Sequence, residues 1–329
     1  MSSNHSILKG CLVAVGAMVL LAVLVAIFGV AAVNRALERA NEHARDLESG
    51  QKDVQDHMPP PIVPIPSDDE HRDEDSAPSK GSRAPGGESA TSLEIIRRWE
   101  LPPVPVGERG NTKVKSFRSA KNVIYDTHRT LKMEKTFYCG CDYKSRKPVH
   151  KSCGYQIKQR KDRARRTEIE HVMPASRFGH TFSEWTEGHP DCERNGRAYK
   201  GRSCAEETSE RFALMASDLY NLQPAIGEVN GDRLDYEWAE LEGEEREYGA
   251  CDVEIRDQKV EPAKNLRGDI ARTYLYMAWA YPDRVTLSDV ELDMFTRWDR
   301  EDPVSKEELR RAEALTNEQG NVQPLIVGR

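Results

Sequence analysis

The sequence predicts a mixed α+β domain carried behind an N-terminal transmembrane helix and an unstructured linker. Three observations lead there. Residues 10–33 contain no charged side chain and are rich in Val, Leu, Ala and Ile. Residues 34–92 form a Pro-, Ser- and acid-rich stretch, with almost no aromatic or periodic apolar signal from Gln51 to Thr91. From 93 to 329 strand-like and helix-like periodicities alternate, which is room for one large domain.

The apolar run follows a short tail, residues 1–9. As a helix at roughly 1.5 Å per residue it spans about 36 Å, enough for a hydrocarbon core of about 30 Å. The apolar core of a cleaved signal peptide is shorter, about 7 to 15 residues. The run therefore reads as an uncleaved anchor, with Ala31-Ala32 as the cleavage site of the alternative, a secreted chain. Only Lys9 precedes the span while Arg35, Arg39 and Arg45 follow it, which taken literally puts the C-terminal side in the cytoplasm. The cysteines argue for the opposite orientation and carry more weight. Behind the anchor, Met58 to Pro66 reads as a polyproline spacer, Ser67 to Asp75 is acidic, and Ser79 to Gly87 is Ser/Gly/Pro-rich. Such a composition cannot bury enough surface to fold, so it is a tether.

The net charge of −7 hides a segmental contrast. Residues 93–170 hold 20 Lys and Arg against 9 Asp and Glu, whereas residues 171–329 hold 20 against 33. A basic block beside a site suggests a polyanionic partner. Six cysteines, Cys139, Cys141, Cys153, Cys192, Cys204 and Cys251, lie in the folded part, an even number behind an export-type segment. Three disulfides in an oxidising compartment are expected. Cys192 with Cys204 closes a short loop, and Cys141–Cys153 with Cys139–Cys251 is the arrangement expected of the rest. The rival is a Cys₃His zinc site made from Cys139, Cys141, His150 and Cys153.

Within the folded region, Thr91 to Glu100 reads as a helix. Ser116 to Arg129 reads as a second, with Ser116 as cap and Phe117, Ala120, Val123 and Ile124 at helical spacing. Thr136-Phe137-Tyr138 leads as a strand into a Cys-Gly-Cys turn. Arg160 to Arg166 is a basic run that enters Thr167-Glu168-Ile169-Glu170-His171-Val172-Met173-Pro174. There Glu168 and Glu170, two apart, share one face of a strand, His171 follows, and Pro174 stops the ladder. A loop-rich segment comes next, then a helix from Ala205 that places Phe212, Met215 and Leu219 on one face and Asn221 near its end, before Pro224. Carboxylate, imidazole and arginines gathered at a strand end suit metal-assisted attack on a phosphodiester; the bland reading is a solvated edge strand.

Several ordered motifs resemble the bacterial endonuclease I family. They are Phe137-Tyr138-Cys139-Gly140-Cys141-Asp142-Tyr143, Ser152-Cys153-Gly154-Tyr155, Glu170-His171-Val172-Met173-Pro174-Ala175, Asp218-Leu219-Tyr220-Asn221-Leu222-Gln223-Pro224-Ala225, Gly227-Glu228-Val229-Asn230-Gly231-Asp232-Arg233, and Arg267 to Tyr274. The resemblance covers roughly residues 110 to 326. It implies an endonuclease I-like domain with a ββα-metal (His-Me finger) motif, and a periplasmic or secreted nonspecific nuclease acting on DNA and RNA. It also implies a Mg²⁺ cofactor, replaceable by Mn²⁺ or Ca²⁺, held by Glu170 and Asn221, with His171 as general base and 5′-phosphate products. The family's phosphate-binding arginine falls on Arg202 in Gly201-Arg202-Ser203-Cys204, with Arg197 as second choice. Glu206 and Glu168 are candidates for support of the metal shell.

The residue chemistry agrees with those roles. Mg²⁺ prefers oxygen ligands and keeps several waters, an imidazole of ordinary pKa near 6.5 is a base at pH 7, and a guanidinium suits phosphate. His180 and His189 read as structural or solvated, Arg267 and Arg272 as phosphate contacts or salt bridges, and Trp279, Phe295 and Trp298 as core. Gln323 stands where the family usually has Asn, which questions closure of the C-terminal tail. The expectation is a monomeric, membrane-tethered, extracytoplasmic endonuclease. A noncatalytic nucleic-acid-binding or uptake protein on the same fold is the alternative, but it should have lost one of Glu170, His171 or Asn221, and all three are present. A zinc protease is excluded by the lack of a His-Glu-x-x-His segment.

Overall fold

The computed structural model describes residues 89–243 and 245–328. The expected tail (1–9), anchor (10–33) and all but the last residues of the linker (34–92) lie outside the described residues. Among the described residues no helix is long and apolar enough to cross a membrane.

Helix α1 (Ala90–Trp99) starts where Ser89 Oγ accepts a bond from Ser92 N–H at 3.0 Å, so it straddles the boundary expected at 93. Helix α2 (Phe117–Leu131) is capped by Ser116 as its pattern requires, and Ala120 and Ile124 face the core. Thr136-Phe137-Tyr138, expected as a strand, is a turn. Thr136 N–H donates to the Cys141 carbonyl (2.8 Å), Thr136 Oγ1 accepts from Cys141 N–H (3.0 Å), and Gly140 N–H bonds back to the Thr136 carbonyl (2.9 Å). A side chain that satisfies neighbouring backbone removes the need for a ladder partner. Disulfides join Cys139 to Cys251, Cys141 to Cys153 and Cys192 to Cys204, the expected pairing. They consume the thiols of the zinc alternative, and His150 Nε2 instead meets the Ala164 carbonyl at 2.7 Å.

A short hairpin, β1 (Tyr143–Lys144) and β2 (Lys147–Pro148), precedes helix α3 (Lys161–Ala164), which delivers the chain into β3 (Thr167–His171). Two short helices, α4 (Ala175–Gly179) and α5 (Ser183–Thr186), and a second hairpin, β4 (Glu193–Arg194) and β5 (Arg197–Ala198), follow. The helix expected from Ala205 to Asn221 is broken twice. Helix α6 (Arg202–Thr208) gives way at Ser209, whose hydroxyl caps α7 (Glu210–Ala216). Asp218 then caps a 3₁₀ turn, Leu219–Asn221. In both places a short polar side chain takes a backbone N–H and starts a new element. Phe212, Met215 and Leu219 are nonetheless all buried, as their spacing predicts.

Asn221 therefore ends not a helix but the approach to a strand, β6 (Leu222–Ile226), antiparallel to β3 with Glu170 opposite Gln223 and His171 opposite Leu222. Pro224 lies inside β6 without penalty. Its carbonyl accepts from Phe137 N–H (2.7 Å), on the side away from β3, and in a strand the nitrogen of that residue points the same way. Helix α8 (Gly227–Arg233) follows at once and locks the pair in place. Its Glu228 accepts bonds from Tyr155 OH and from the backbone N–H groups of residues 158–160, at 2.5 to 3.1 Å. A side chain at Gly227 would meet the Arg163 backbone carbonyl oxygen at 2.6 Å, so only glycine there lets α3 pack this close.

A three-stranded sheet follows, with β9 (Lys259–Pro262) between β7 (Glu237–Trp238), parallel to it, and β8 (Val253–Arg256), antiparallel. Helices α9 (Arg267–Ala280), α10 (Asp289–Glu301) and α11 (Lys306–Gln319) complete the described chain. Helix α9 is buried along nearly its whole length, and Trp279, Phe295 and Trp298 belong to the core. Arg267 pairs with Glu240 and Glu261, and Arg272 with Asp299 and Glu308, so salt bridging accounts for both. The C-terminal tail does close. Gln323 is buried, donating to the Arg272 carbonyl (3.2 Å) and accepting from Leu325 N–H (2.7 Å).

Candidate active site

Strand β3 ends in Glu170 and His171, both buried. Glu170 Oε1 accepts from Tyr138 OH at 2.8 Å and from Arg233 Nη1 at 3.0 Å; Oε2 receives no hydrogen bond among the described residues. Burial pushes the carboxyl up to about 7, against the opposing pull of the Arg233 charge and the Tyr138 hydroxyl. Arg233 is itself enclosed. Its two terminal nitrogens also bind the carbonyls of His171 (3.0 Å) and Val172 (2.7 Å), and its guanidinium lies 4.7 Å from the Trp238 ring. Neither Arg233 nor Tyr138 stands out by residue type or spacing, although both fall inside the motifs that carry the family resemblance.

His171 Nε2 lies 2.8 Å from the Ala216 carbonyl. A carbonyl can only accept, so Nε2 carries the proton and the lone pair of the neutral ring sits on Nδ1. Burial, then the nearby positive charge of Arg202, hold the imidazole down to about 3, so it is neutral at pH 7. The Phe117 ring packs against it with centroids 4.8 Å apart. The ladder continues one step past His171, through Val172 N–H to the Asn221 carbonyl (2.9 Å). The Asn221 side chain is fully buried: Oδ1 accepts from Met173 N–H (2.7 Å) and Nδ2 donates to the Met173 carbonyl (2.9 Å). An amide oxygen has two lone pairs, so one stays available.

Arg202 opens α6. Its Nε donates to Glu206 Oε1 at 2.7 Å, its guanidinium lies 4.7 Å from the Phe117 ring, and its Nη2 is buried with no hydrogen-bond partner among the described residues. A buried donor left without a partner is costly unless a ligand supplies one. Arg197, the second choice, is an exposed member of the β4–β5 hairpin. Glu206 is engaged by Arg202. Glu168 is held by Arg163 (2.6 Å), Arg166 (2.9 Å) and Asn230 (2.7 Å), tying β3 to α3 and α8. His180 is exposed beside Trp185, and His189 bonds the Asp191 N–H, both outside this cluster.

Among the described residues no group of three or more His, Cys, Asp or Glu is arranged to hold a metal ion. The oxygen donors in place are the Glu170 carboxylate and the Asn221 amide. Hard oxygens of this kind suit a divalent cation such as Mg²⁺ or Ca²⁺.

The depressed imidazole has a thermodynamic consequence. The unfolded chain protonates His171 near pH 6.5 and the folded chain only near 3, so its stabilising share is present above about 6.5 and lost as pH falls towards 3. In urea titrations the parent should lose more stability than His171→Gln between pH 6.5 and pH 4, by an amount on the order of a few kcal/mol. Parallel stability curves for the two would refute the buried, neutral imidazole.

A neutral imidazole whose Nδ1 has no hydrogen bond among the described residues, a buried carboxylate and an arginine donor likewise without a partner among them define a hydrolytic centre suited to phosphate esters. The endonuclease I family model matches residues 111–328. The chain is 40% identical over 214 residues to Endonuclease-1 of Buchnera aphidicola subsp. Acyrthosiphon pisum (strain APS), covering 63% of this chain and 79% of that protein. It is 38% identical to a periplasmic deoxyribonuclease (65% and 86% covered) and 37% identical to an extracellular deoxyribonuclease (65% and 88% covered), both of Aeromonas hydrophila. The chain belongs to the endonuclease I family.

Proposed function

We propose that this endonuclease cleaves the DNA backbone with His171 as general base, Arg202 on the scissile phosphate, and Mg²⁺ at Glu170 and Asn221. It hydrolyses phosphodiester bonds of DNA without sequence specificity and uses a divalent cation. RNA is a further substrate on this reading, and the products carry 5′-phosphate ends. The β3–β6 pair followed by α8 supports reading the site as the ββα arrangement of a His-Me finger. The observation that carries the mechanism is the His171 tautomer: with Nε2–H spent on Ala216, the basic Nδ1 takes the proton of the attacking water. The orphaned Nη2 of Arg202 gives the phosphate a charged donor. When bound, the cation supplies charge stabilisation to the developing oxyanions. Glu206 keeps Arg202 extended, and Glu168 positions the strand rather than touching substrate.

Relatives named periplasmic and extracellular, and three disulfides in one domain, support an extracytoplasmic protein. Anchoring in the inner membrane through residues 10–33, with residues 93–329 as a monomeric catalytic unit, completes the proposal. Nicking of supercoiled plasmid should stop with chelator and return with Mg²⁺. Because burial raises the Glu170 carboxyl to about 7, a proton competes with the cation there. The acid limb of activity should therefore move to lower pH as Mg²⁺ is raised. Undiminished nicking in chelator would defeat the metal-assisted reading; an acid limb indifferent to Mg²⁺ would remove Glu170 from the metal site.

A further inference from the structure

Phe117 is the first residue of α2, distant in sequence from the strand and loop that hold the catalytic groups, yet its ring meets two of them. The His171 ring centroid is 4.8 Å away at an interplanar angle of 34°, and the Arg202 guanidinium carbon is 4.7 Å from the ring centre. Lys121, one turn along α2, places its ammonium 5.1 Å from the same ring. Phe117 is only partly buried although it packs against the core, so simple core filling does not explain an aromatic here.

We propose that Phe117 is a positioning residue for the reaction, setting the orientation of the general base and of the phosphate-binding arginine at once. This rests on the roles given above to His171 and Arg202. The Ala216 carbonyl fixes one ring nitrogen of His171 but leaves the ring able to pivot about that single bond. A flat apolar face against the imidazole blocks the pivot and aims Nδ1. For Arg202 the chemistry is more particular. Contact with an aromatic face attracts the guanidinium through its charge and flat surface and uses none of its N–H groups. Glu206 takes Nε, the ring holds the plane, and Nη2 remains for phosphate. A hydrogen-bonding residue at position 117 would hold the arginine by consuming the donors that substrate needs. An aliphatic residue would fill the space without the attraction.

The test compares full-length Phe117→Leu, Phe117→Tyr and Arg202→Ala, the Phe117→Leu/Arg202→Ala double variant, and His171→Ala, in plasmid cleavage with Mg²⁺. Phe117→Leu should lower kcat by about tenfold to a hundredfold while KM for DNA changes by no more than about twofold, because misplaced groups cost rate more than binding. Phe117→Tyr, which keeps the ring, should recover most of the rate. In the Arg202→Ala background the Phe117→Leu loss should shrink. The idea fails if Phe117→Leu turns over like the parent, if it raises KM alone, if Tyr is as poor as Leu, or if the two losses simply multiply. Should Phe117→Leu not fold, Phe117→Tyr against Phe117→Met gives the same comparison. His171→Ala separates the layers: if it keeps full activity, the base assignment fails, whereas its loss beside an unimpaired Phe117→Leu sinks only the role of Phe117.

Discussion

His171→Ala should reduce turnover of supercoiled plasmid by about 10²- to 10⁴-fold, the range a positioned general base contributes. The loss should fall on kcat, since the imidazole is buried against Phe117 and the Ala216 carbonyl and its proposed work begins at the attacking water. The substitution also removes a buried ring, so melting has to be followed alongside rate. A folded variant with less than about a hundredth of parental kcat is the expected outcome. A folded variant within a fewfold of the parent would assign the base elsewhere. His171→Gln, which can keep a donor towards Ala216 but has no basic nitrogen, should be as slow as alanine.

The second large effect is expected at Arg233. This side chain is about 1% exposed and serves Glu170, His171 and Val172 together. Arg233→Met keeps an unbranched apolar side chain in the enclosed space but leaves a buried carboxylate and strand-end carbonyls without a donor. Breaking such a buried pair costs about 3–5 kcal/mol. Urea unfolding of the full chain in chelator should show that loss, larger at pH 8 than at pH 6, because at pH 6 the Glu170 carboxyl can take a proton instead of standing charged. Adding Glu170→Gln should restore part of the stability by removing the unpaired charge. If Arg233→Met costs less than about 1 kcal/mol, the pair is not what holds the end of β3.

These two residues also mark how far the sequence could be read. Glu170 and His171 are legible because a strand alternates faces and Pro174 ends it, both local rules. The cap of α2, Ser116, is legible for the same reason. The turn at Thr136 and the breaks at Ser209 and Asp218 are missed because apolar spacing favours continuation, while one hydroxyl or carboxylate bonding to nearby N–H groups decides otherwise. Strand β6 is missed because Pro224 reads as a stop. A proline is harmless in a two-stranded ladder when its nitrogen faces away from the partner, and only the register reveals which way it faces.

Taken alone, the sequence determined the family motifs, the reactive pair Glu170-His171, the basic block that leads into it and the cysteine set. Each is a matter of residue type and near-neighbour spacing. The tertiary structure decided which groups those residues answer to. Ala216 sets the tautomer of His171, Arg233 and Tyr138 share one oxygen of Glu170, Met173 takes one lone pair of Asn221, and Phe117 faces both His171 and Arg202. Those partners lie as many as 85 residues away in the chain, the separation of Arg202 from Phe117. Pairings at such distances depend on how the elements pack, and no local periodicity encodes them.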